Sequence, residues 1–364
     1  MYHLYNQTDR LRHVMLGTWF SPQHFDYIHD NNIRQCLQTI AEEVQEDLEN
    51  FVRVLEAHNV AVTRPLEPED TQTAPPLMVR DIFHVIEDTM YKFDHKPWDD
   101  RVMSVLPNVV DLSEVLNSVS RDFPTVSIDK YYRLAGSDWP SFVDFYSDNY
   151  TVSPAIQKEI DSYLPSMTYD TITSPEGPNI IVTKDEIIVD HHEYVDFAAI
   201  LAQHVKTSKK WRSINTMAGH TDGVFTLLNR DTVLGVPEVL DDLWNYMPNN
   251  IKITWQNYQN KITEFAQFKH KVGGKWWVPG QENNQAFVNY VNEYLDHLVG
   301  YVEETVFDVN VLPLDARTVF VSNNRPEYFE LLHRADIDAV YVPWRHRWFL
   351  DGGLHCITLD LIRQ

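Results

Sequence analysis

The sequence predicts one α/β domain made of five similar units that close into a pseudo-symmetric ring. Three observations support this fold class. A short hairpin pattern recurs along the chain, and a helical stretch with a further strand usually follows it. No low-complexity tract or linker divides the 364 residues. A chain of this length has ample material for one large core.

Each predicted hairpin consists of two β-rich runs around a polar turn. The clearest is NIIVTKDEIIVD at 179–190, where apolar β-branched residues flank Lys184 and Asp185. YHLYNQTDRLRHVMLG at 2–17 has the weakest pattern. The remaining predicted hairpins span 80–93, 223–236 and 309–322.

Helical periodicity and a further strand complete most units, which gives the order strand–strand–helix–strand. Apolar residues spaced three or four apart predict the first helix, and Pro near the start marks two of the others. The predicted helices span 32–58, 192–205, 236–247 and 325–337, and the strands that follow them span 60–66, 211–217, 251–255 and 339–344.

Two regions do not fit the repeated unit. Residues 97–172 are rich in Pro, Asp and Ser, and residues 256–308 contain a predicted amphipathic helix at about 283–305. We interpret both as insertions into a single domain that spans 1–364. Cys36 lies in the first predicted helix, where we expect a structural role.

The composition restricts the partners of the protein. The formal net charge of −23 repels phosphate backbones and anionic lipids, so we expect neither nucleic acid nor a membrane as a partner. This charge serves solubility and is also compatible with a small cationic substrate. The chain has no apolar run near 18 residues and no signal-peptide pattern at its start, so we expect a cytoplasmic protein.

Polar and ionisable residues cluster where the first strands of the predicted units begin. In a closed ring these positions would meet around one cavity. A thiol, a histidine, carboxylates and an amide together are suited to covalent catalysis on a cationic electrophile. The residues are Arg80, Asp81, Glu176, Asn179, His220, Asp222, His355 and Cys356.

The chemistry of a guanidinium group explains these residue types. Its planar N–H groups pair with carboxylates, and its central carbon needs a strong nucleophile such as a thiolate. A histidine can protonate the leaving amine and then deprotonate the incoming nucleophile. A structural reading also fits, because GGLHCITLDL is typical of a buried strand and Cys356 of a small core residue. Adjacent histidines in DHHEY at 190–194 do not form a chelating pair, so no metal site is predicted.

Four ordered segments resemble the guanidino-group-modifying enzymes, the pentein superfamily, and most closely glycine amidinotransferase and its relatives. The likeness is good over about 170–236 and 305–364, fair over 76–93, and poor over 97–165 and 256–300. The segments are VRDIFHVIEDTMY, SPEGPNIIVTKDEIIV, GHTDGVFTLLNRDTVLG and VYVPWRHRWFLDGGLHCITLDLIRQ.

The resemblance implies a five-bladed α/β-propeller built of ββαβ units. It implies that Cys356 is the nucleophile of a covalent amidino-cysteine intermediate and that His220 is the general acid and base. It implies that Asp81 and Asp222 bind the guanidinium group, without a metal or organic cofactor. Further substrate-binding positions are implied at Arg80, Glu176, Arg345 and His355.

The sequence departs from this family at two positions. Asn179 stands where the family has an aspartate as partner of the catalytic histidine. An amide can orient an imidazole but cannot stabilise imidazolium, and Glu176 is a candidate to compensate. GVPEVL lacks the arginine that holds the substrate carboxylate, for which Arg230 and Arg345 are candidate substitutes.

Three functional hypotheses follow from the sequence. The first is an amidinotransferase that moves the amidino group of arginine to an amine such as glycine. The second is a deiminase or hydrolase of arginine or a related guanidine, with water as the acceptor. The third is a non-catalytic binding protein on the same scaffold. A homodimer is compatible with the resemblance.

Overall fold

A computed structural model describes most of the chain. No helix in the described part of the chain is long and apolar enough to cross a membrane. The described residues are 2–28, 31–66, 75–96, 98–121, 126–127, 168–169, 175–190, 196–214, 216, 220–236, 245–255, 305–350 and 352–364.

The strands are short, and most are buried along their length. In chain order they are β1 (Leu11–Leu16), β2 (Ala61–Thr63), β3 (Phe83–Ile86), β4 (Thr89–Lys92), β5 (Val109–Asp111), β6 (Val126–Ser127), β7 (Thr168–Tyr169), β8 (Ile180–Val182), β9 (Glu186–Asp190), β10 (Lys210–Ile214), β11 (Phe225–Leu227), β12 (Thr232–Gly235), β13 (Ile251–Thr254), β14 (Leu312–Pro313), β15 (Thr318–Val321), β16 (Asp338–Tyr341) and β17 (Thr358–Arg363).

The α-helices of the described residues lie between these strands. They are α1 (Asn31–Ala57), α2 (Val79–Ile82), α3 (Asp99–Met103), α4 (Ser113–Arg121), α5 (Phe197–His204), α6 (Thr305–Val309), α7 (Pro326–Arg334) and α8 (Arg347–Leu350). The apolar stripe that predicted α1 is buried, as Leu37, Val44, Leu48 and Leu55 show.

Most strands belong to five three-stranded sheets that share one topology. Each sheet begins with an antiparallel pair, and its third strand runs parallel to the second. The sheets are β17–β1–β2, β3–β4–β5, β8–β9–β10, β11–β12–β13 and β14–β15–β16. Strands β6 and β7 pair separately. The recurring hairpin pattern is therefore confirmed for four of the five segments.

The hairpin expected at 2–17 is wrong. Only β1 forms a strand there, and its antiparallel partner is β17 at the other end of the chain, with Val14 opposite Asp360. The earlier residues make isolated bridges, His3 to Ile362 and Leu4 to Glu87. The two chain ends therefore share one sheet, a pairing that no local turn signal could indicate.

Packing between the sheets follows the order of the chain. Alternate residues of a strand face opposite sides. Ile180 and Val182 pack with residues of β3, β4 and β17, whereas Ile181 packs with residues of β11, β12 and β15. A third cluster joins β1 and α1 to β14 and β15, with Phe51 and Phe320 in edge contact. Each sheet thus has a neighbour on both sides.

The region expected as an insertion at 97–172 is partly integral to the fold. Strand β5 completes the sheet of β3 and β4, and α3 lies between β4 and β5. Helix α4 follows β5, and residues 122–125, 128–167 and 170–172 lie outside the described residues, as do nearly all of the helix predicted at 283–305 and most of the helix predicted at 236–247.

Candidate active site

A polar residue stands directly before the first strand of each three-stranded sheet. Asp81 lies in α2, which runs into β3. Glu176 begins the 3-10 turn before β8, and Asp222 lies in the 3-10 turn before β11. Asn310 lies between α6 and β14. Cys356 lies in the turn before β17 and not within a strand, which corrects the expectation of a buried strand position.

His220 lies between two carboxylates. Its Nε2 is 2.7 Å from Oε2 of Glu176, and its Nδ1 is 4.0 Å from Oδ1 of Asp81. Burial alone would lower the pKa of His220. Asp81, a hydrogen bond with Cys356 and the contact with Glu176 together raise this pKa well above its usual value. The raised pKa favours the imidazolium form of His220, which can donate a proton.

The thiol of Cys356 is buried between a carboxylate, an amide donor and the imidazole of His220. Its Sγ lies 3.6 and 3.8 Å from the carboxylate oxygens of Asp222 and 3.1 Å from Nδ2 of Asn310. Burial and the negative charge of Asp222 raise the pKa of Cys356 to about 12, although the hydrogen bond with His220 acts in the opposite direction. This raised pKa favours the neutral thiol, and a cation placed beside the sulfur would favour the thiolate.

Asp222 is an ionised carboxylate at the base of the site. Its Oδ2 accepts a hydrogen bond from Nδ1 of His355 at 2.7 Å. Burial would raise the pKa of Asp222, but His355, His220 and Arg80 hold it below its usual value. His355, which the sequence placed among substrate-binding residues, thus contacts a carboxylate of the site through its imidazole.

Asp81 presents an unsatisfied acceptor. Its Oδ1 is buried and has no hydrogen-bond donor among the described residues. Burial raises the pKa of Asp81 to about 7, with Glu176 and Asp222 adding to the effect of burial and His220 opposing it. An unpaired buried carboxylate oxygen is costly, and a bound cation would remove that cost.

The structure places two predicted substrate-binding arginines elsewhere. The guanidinium of Arg80 donates to Asp360 Oδ1 at 3.0 Å and to the carbonyl oxygens of His355 and Thr358 at 2.9 Å. This group is buried, and its hydrogen bonds hold the backbone on either side of Cys356. Neither Nε nor Nη2 of Arg80 is turned to the acidic cluster, because their hydrogen bonds are made to these acceptors.

Arg345 lies against the first long helix. Its guanidinium contacts Glu43, Glu46 and Asp47 of α1. Arg230 stands on the exposed turn of the β11–β12 hairpin, beside Asp231 and at the opposite end of β11 from Asp222. Neither arginine is brought to the cluster around Cys356.

Glu176, and not Asn179, is the carboxyl partner of His220. The side-chain oxygen of Asn179 accepts the backbone N–H of Glu176 at 3.0 Å and so fixes the start of the 3-10 turn. Asn179 was expected to pair directly with the histidine. It instead hydrogen-bonds the backbone of Glu176, whose carboxylate pairs with His220. Gly177 allows the turn to approach α2, because a Cβ there would lie on the carbonyl oxygen of Arg80.

Asn310 is the site residue that the sequence did not indicate. Its position in DVNVLPLD is nevertheless informative. Asn310 stands just before the first strand of its unit, as Asp81 and Asp222 stand just before the first strands of theirs. The symmetry of the units therefore pointed to a fifth position that the four family-like segments did not include.

Three groups of the site could also hold a metal ion. One ligand atom each of Asp81, His220 and Cys356 lie within 4.8 Å of one another. With Glu176 and Asp222 nearby, the cluster contains three carboxylates and one imidazolium. Such a set of charges suits a cation, whether a metal ion or an organic cation.

Comparisons with known proteins identify the fold. No family model and no curated protein matches the sequence. The structure is similar to inosamine-phosphate amidinotransferase StrB1 from Streptomyces griseus, with a TM-score of 0.61, 14% identity and coverage of 100% of this chain and 97% of that chain. It is similar to SxtG, an amidinotransferase from Microseira wollei in the saxitoxin biosynthetic pathway, with a TM-score of 0.56, 13% identity and coverage of 100% and 97%.

A third similar structure is a variant of the N-terminal domain of ArgZ, covalently bound to a reaction intermediate. Its TM-score is 0.50 at 10% identity, with coverage of 96% of this chain and 98% of that one. The chain has the pentein fold. At these identities the likeness establishes the fold, and the reaction has to be argued from the residues of the candidate site.

Proposed function

We propose that the protein is a guanidino-group-modifying enzyme that transfers the amidino group of L-arginine to an amine such as glycine. The observation that carries the proposal is the buried, unpartnered Oδ1 of Asp81 in a cluster that also holds an ionised Asp222, a thiol and an imidazolium. A guanidinium group supplies the planar N–H donors that Oδ1 of Asp81 lacks, and a second positive charge beside the three carboxylates.

Binding of the guanidinium prepares the nucleophile. Its N–H groups donate to Asp81 and Asp222, and its positive charge opposes the burial and the carboxylates that hold the pKa of Cys356 high. The thiol then releases its proton to solvent at a lower pH than in the free enzyme. Substrate binding and thiolate formation are therefore linked, which protects the thiol from side reactions between turnovers.

The first half-reaction forms the covalent intermediate. The thiolate of Cys356 attacks the guanidinium carbon, and a C–S bond forms in a neutral tetrahedral adduct. The imidazolium of His220 protonates the substituted nitrogen, the C–N bond breaks, and ornithine leaves as a neutral amine. The remaining S-amidino group is a cation held by Asp81 and Asp222, and His220 is neutral.

The second half-reaction reverses these steps with a new amine. The nitrogen of the acceptor attacks the amidino carbon, and neutral His220 removes its proton. The C–S bond then breaks, which returns the thiolate and releases the new guanidino compound. Glu176 stabilises the imidazolium at both stages through its contact with Nε2, the role expected of an aspartate at position 179.

The same proposal includes the architecture. We infer that the five three-stranded sheets are the five blades of a closed propeller and that residues 1–364 form one domain. Support comes from the packing of each sheet against two neighbours and from the sheet shared by β1 and β17. In such a ring, the starts of the first strands surround one central cavity.

Lys96 is the cation that we assign to the carboxylate of arginine. It stands in the loop after β4, with Nζ 3.0 Å from Asp94. Burial would lower the pKa of Lys96, but Asp94 raises it, with further electrostatic contributions from Glu176 and Asp81. A partly exposed ammonium group near both acids of the site is suited to hold a carboxylate at its edge.

Water is the alternative acceptor. The pairing of His220 with Glu176 equips the histidine to deprotonate water as readily as an amine, so an arginine deiminase or hydrolase would use the same residues. A non-catalytic binding protein remains a third candidate, and it requires only the acidic cluster.

Products separate these alternatives. Isotope-labelled arginine is incubated with the pure protein, with and without glycine, and products are followed by mass spectrometry. The proposal predicts ornithine and a glycine-derived guanidino acid, formed only when glycine is present. Citrulline, or ornithine without an acceptor, would indicate a hydrolase, and absence of any conversion would favour a binding protein.

A further inference from the structure

The amide side chain of Asn310 touches the sulfur that reacts in the proposed mechanism. Asn310 is only 2% exposed and connects α6 to β14. Its Nδ2 lies 3.1 Å from Sγ of Cys356 and 3.1 Å from the carbonyl oxygen of Asp222. The donor face of this amide therefore serves both the thiol and the segment that carries Asp222.

The acceptor face of the same amide holds the cysteine turn. Oδ1 accepts the backbone N–H groups of His355 at 3.0 Å and of Cys356 at 3.1 Å. Two backbone N–H groups can be accepted only by the amide oxygen, so the NH₂ group must face the sulfur. The hydrogen-bond network thus fixes which end of the amide meets Cys356.

We propose that Asn310 is a catalytic residue whose amide N–H stabilises the thiolate of Cys356 while its amide oxygen holds the turn that carries this cysteine. The inference rests on the proposed role of Cys356 as the nucleophile. It adds a fixed, neutral donor to a site whose other groups near the sulfur are ionisable.

Electrostatics explain why a donor is needed at this place. The oxygens of Asp222 lie 3.6 and 3.8 Å from Sγ and repel a thiolate. A hydrogen bond given to the charged form of a group favours that form. The amide of Asn310 therefore lowers the pKa of Cys356 against the effect of Asp222, and it does so without a charge that would repel a guanidinium substrate.

The glycines before the cysteine allow this contact. A Cβ at Gly353 would lie 2.6 Å from both Cβ and Oδ1 of Asn310. A Cβ at Gly352 would lie 2.6 Å from Sδ of Met78 and 3.3 Å from Cβ of Cys356. Gly353 thus lets the backbone approach the amide closely, and Gly352 leaves room for Met78.

The variant Asn310→Asp tests the donor role of the side chain apart from its acceptor role. A carboxylate oxygen can still accept the two backbone N–H groups, but the second oxygen replaces the donor at the sulfur. The test measures the rate of alkylation of Cys356 by iodoacetamide at one fixed alkaline pH, by mass spectrometry of its peptide. Cys36 is an internal reference thiol, and Asn323→Asp repeats the substitution at another buried asparagine of the same unit.

We expect alkylation of Cys356 to slow about tenfold or more in Asn310→Asp, because each unit of pKa changes the thiolate fraction tenfold. The Cys36 rate and the Asn323→Asp protein should match the wild type. Local unfolding would expose the buried thiol and speed alkylation, so the direction of change separates lost stabilisation from disturbed folding. Asn310→Ser, which is neutral and too short to reach the sulfur, should also slow the reaction.

Wild-type or faster alkylation in both Asn310 variants, with melting curves that match the wild type, would overturn the inference. Because alkylation needs no substrate, its outcome is independent of the proposed reaction. Retained turnover in Cys356→Ser would refute the proposed function, whereas unchanged alkylation beside an active wild type would refute only the role of Asn310.

Discussion

Arg80 and Asp81 are neighbours in α2, yet their charged groups have opposite surroundings. Arg80 donates to Asp360 and to backbone carbonyls, and Arg363 donates to the other oxygen of Asp360 at 2.7 Å. Asp81, one residue later, keeps a buried oxygen without a donor among the described residues. The carboxylate of Asp360 accepts hydrogen bonds from two arginines, whereas Oδ1 of Asp81 has only the imidazole of His220 at 4.0 Å. Two neighbouring buried charges thus differ in hydrogen bonding. We expect a structural role for Arg80, whose donors are paired, and a substrate-binding role for Asp81, whose acceptor is not.

We expect the largest effect on activity from replacing Asp81, the acid whose Oδ1 has no hydrogen-bond donor among the described residues. Asp81→Asn removes a charged acceptor for the guanidinium, so we expect kcat/KM for arginine to fall roughly a hundredfold or more. Thermal stability should be unchanged or higher, because a buried carboxylate without a donor is removed. Steady-state kinetics and a melting curve measure the two quantities. Wild-type kinetics in this variant would show that Asp81 does not bind substrate.

The complementary change falls on the satisfied cluster. Asp360→Asn leaves Arg80 and Arg363 without their carboxylate, so we expect a loss of about 3–5 kcal/mol in the free energy of unfolding. Asp315→Asn is the matched control, because Asp315 pairs with Arg10 at a partly exposed site where a pair contributes about 0–1 kcal/mol. Urea denaturation measures the free energy of unfolding of both variants. Equal decreases would contradict the claim that the buried pairs of Asp360 contribute more than the partly exposed pair of Asp315.

The two acids should also give opposite pH dependences of stability. The pKa of Asp360 is held well below its usual value by Arg363 and Arg80 against burial, so its contribution is present above about pH 3.9 and is lost as the pH falls further. The pKa of Asp81 is raised to about 7 by burial, so its deprotonation lowers stability as the pH rises from about 4 to about 7. The free energy of unfolding is measured at pH values from 2 to 8. Its dependence on pH should become weaker below pH 4 in Asp360→Asn and between pH 4 and 7 in Asp81→Asn. An unchanged profile in either variant would refute the assignment for that acid.

The smallest effect concerns the edge of the site. Lys96→Met should raise KM for arginine about tenfold, because one ion pair with the substrate carboxylate is lost. Agmatine, which lacks that carboxylate, is the matched substrate, and its KM should change little. An equal change for both substrates would show that Lys96 acts on the acids of the site and not on the carboxylate.

Local patterns predicted the repeated elements and missed what depends on distant pairing. The turn Lys184-Asp185 and the β-branched runs around it sufficed to predict β8 and β9. Strand β1 was assigned to a local hairpin, because its partner β17 lies more than 300 residues away along the chain and leaves no local signal.

The sequence indicated which residues lie together at the candidate site but not each contact. Cys356, His220, Asp81 and Asp222 do meet, since each stands at or just before the start of a first strand. Arg345 was expected at the site, but a guanidinium finds the acids of α1 nearer, and sequence spacing cannot rank such alternatives. The carboxylate of Glu176 pairs with His220, whereas the side-chain oxygen of Asn179 accepts the backbone N–H of Glu176 in the 3-10 turn.

The central claim is that Cys356 carries the amidino group. The most direct measurement is mass spectrometry of the Cys356 peptide after the protein is mixed with arginine without an acceptor and quenched in acid. The account predicts an amidino adduct on Cys356 and none on Cys36, and it predicts that addition of glycine removes the adduct and that Cys356→Ser gives neither adduct nor turnover. An unmodified Cys356 peptide, together with turnover retained in Cys356→Ser, would contradict the account.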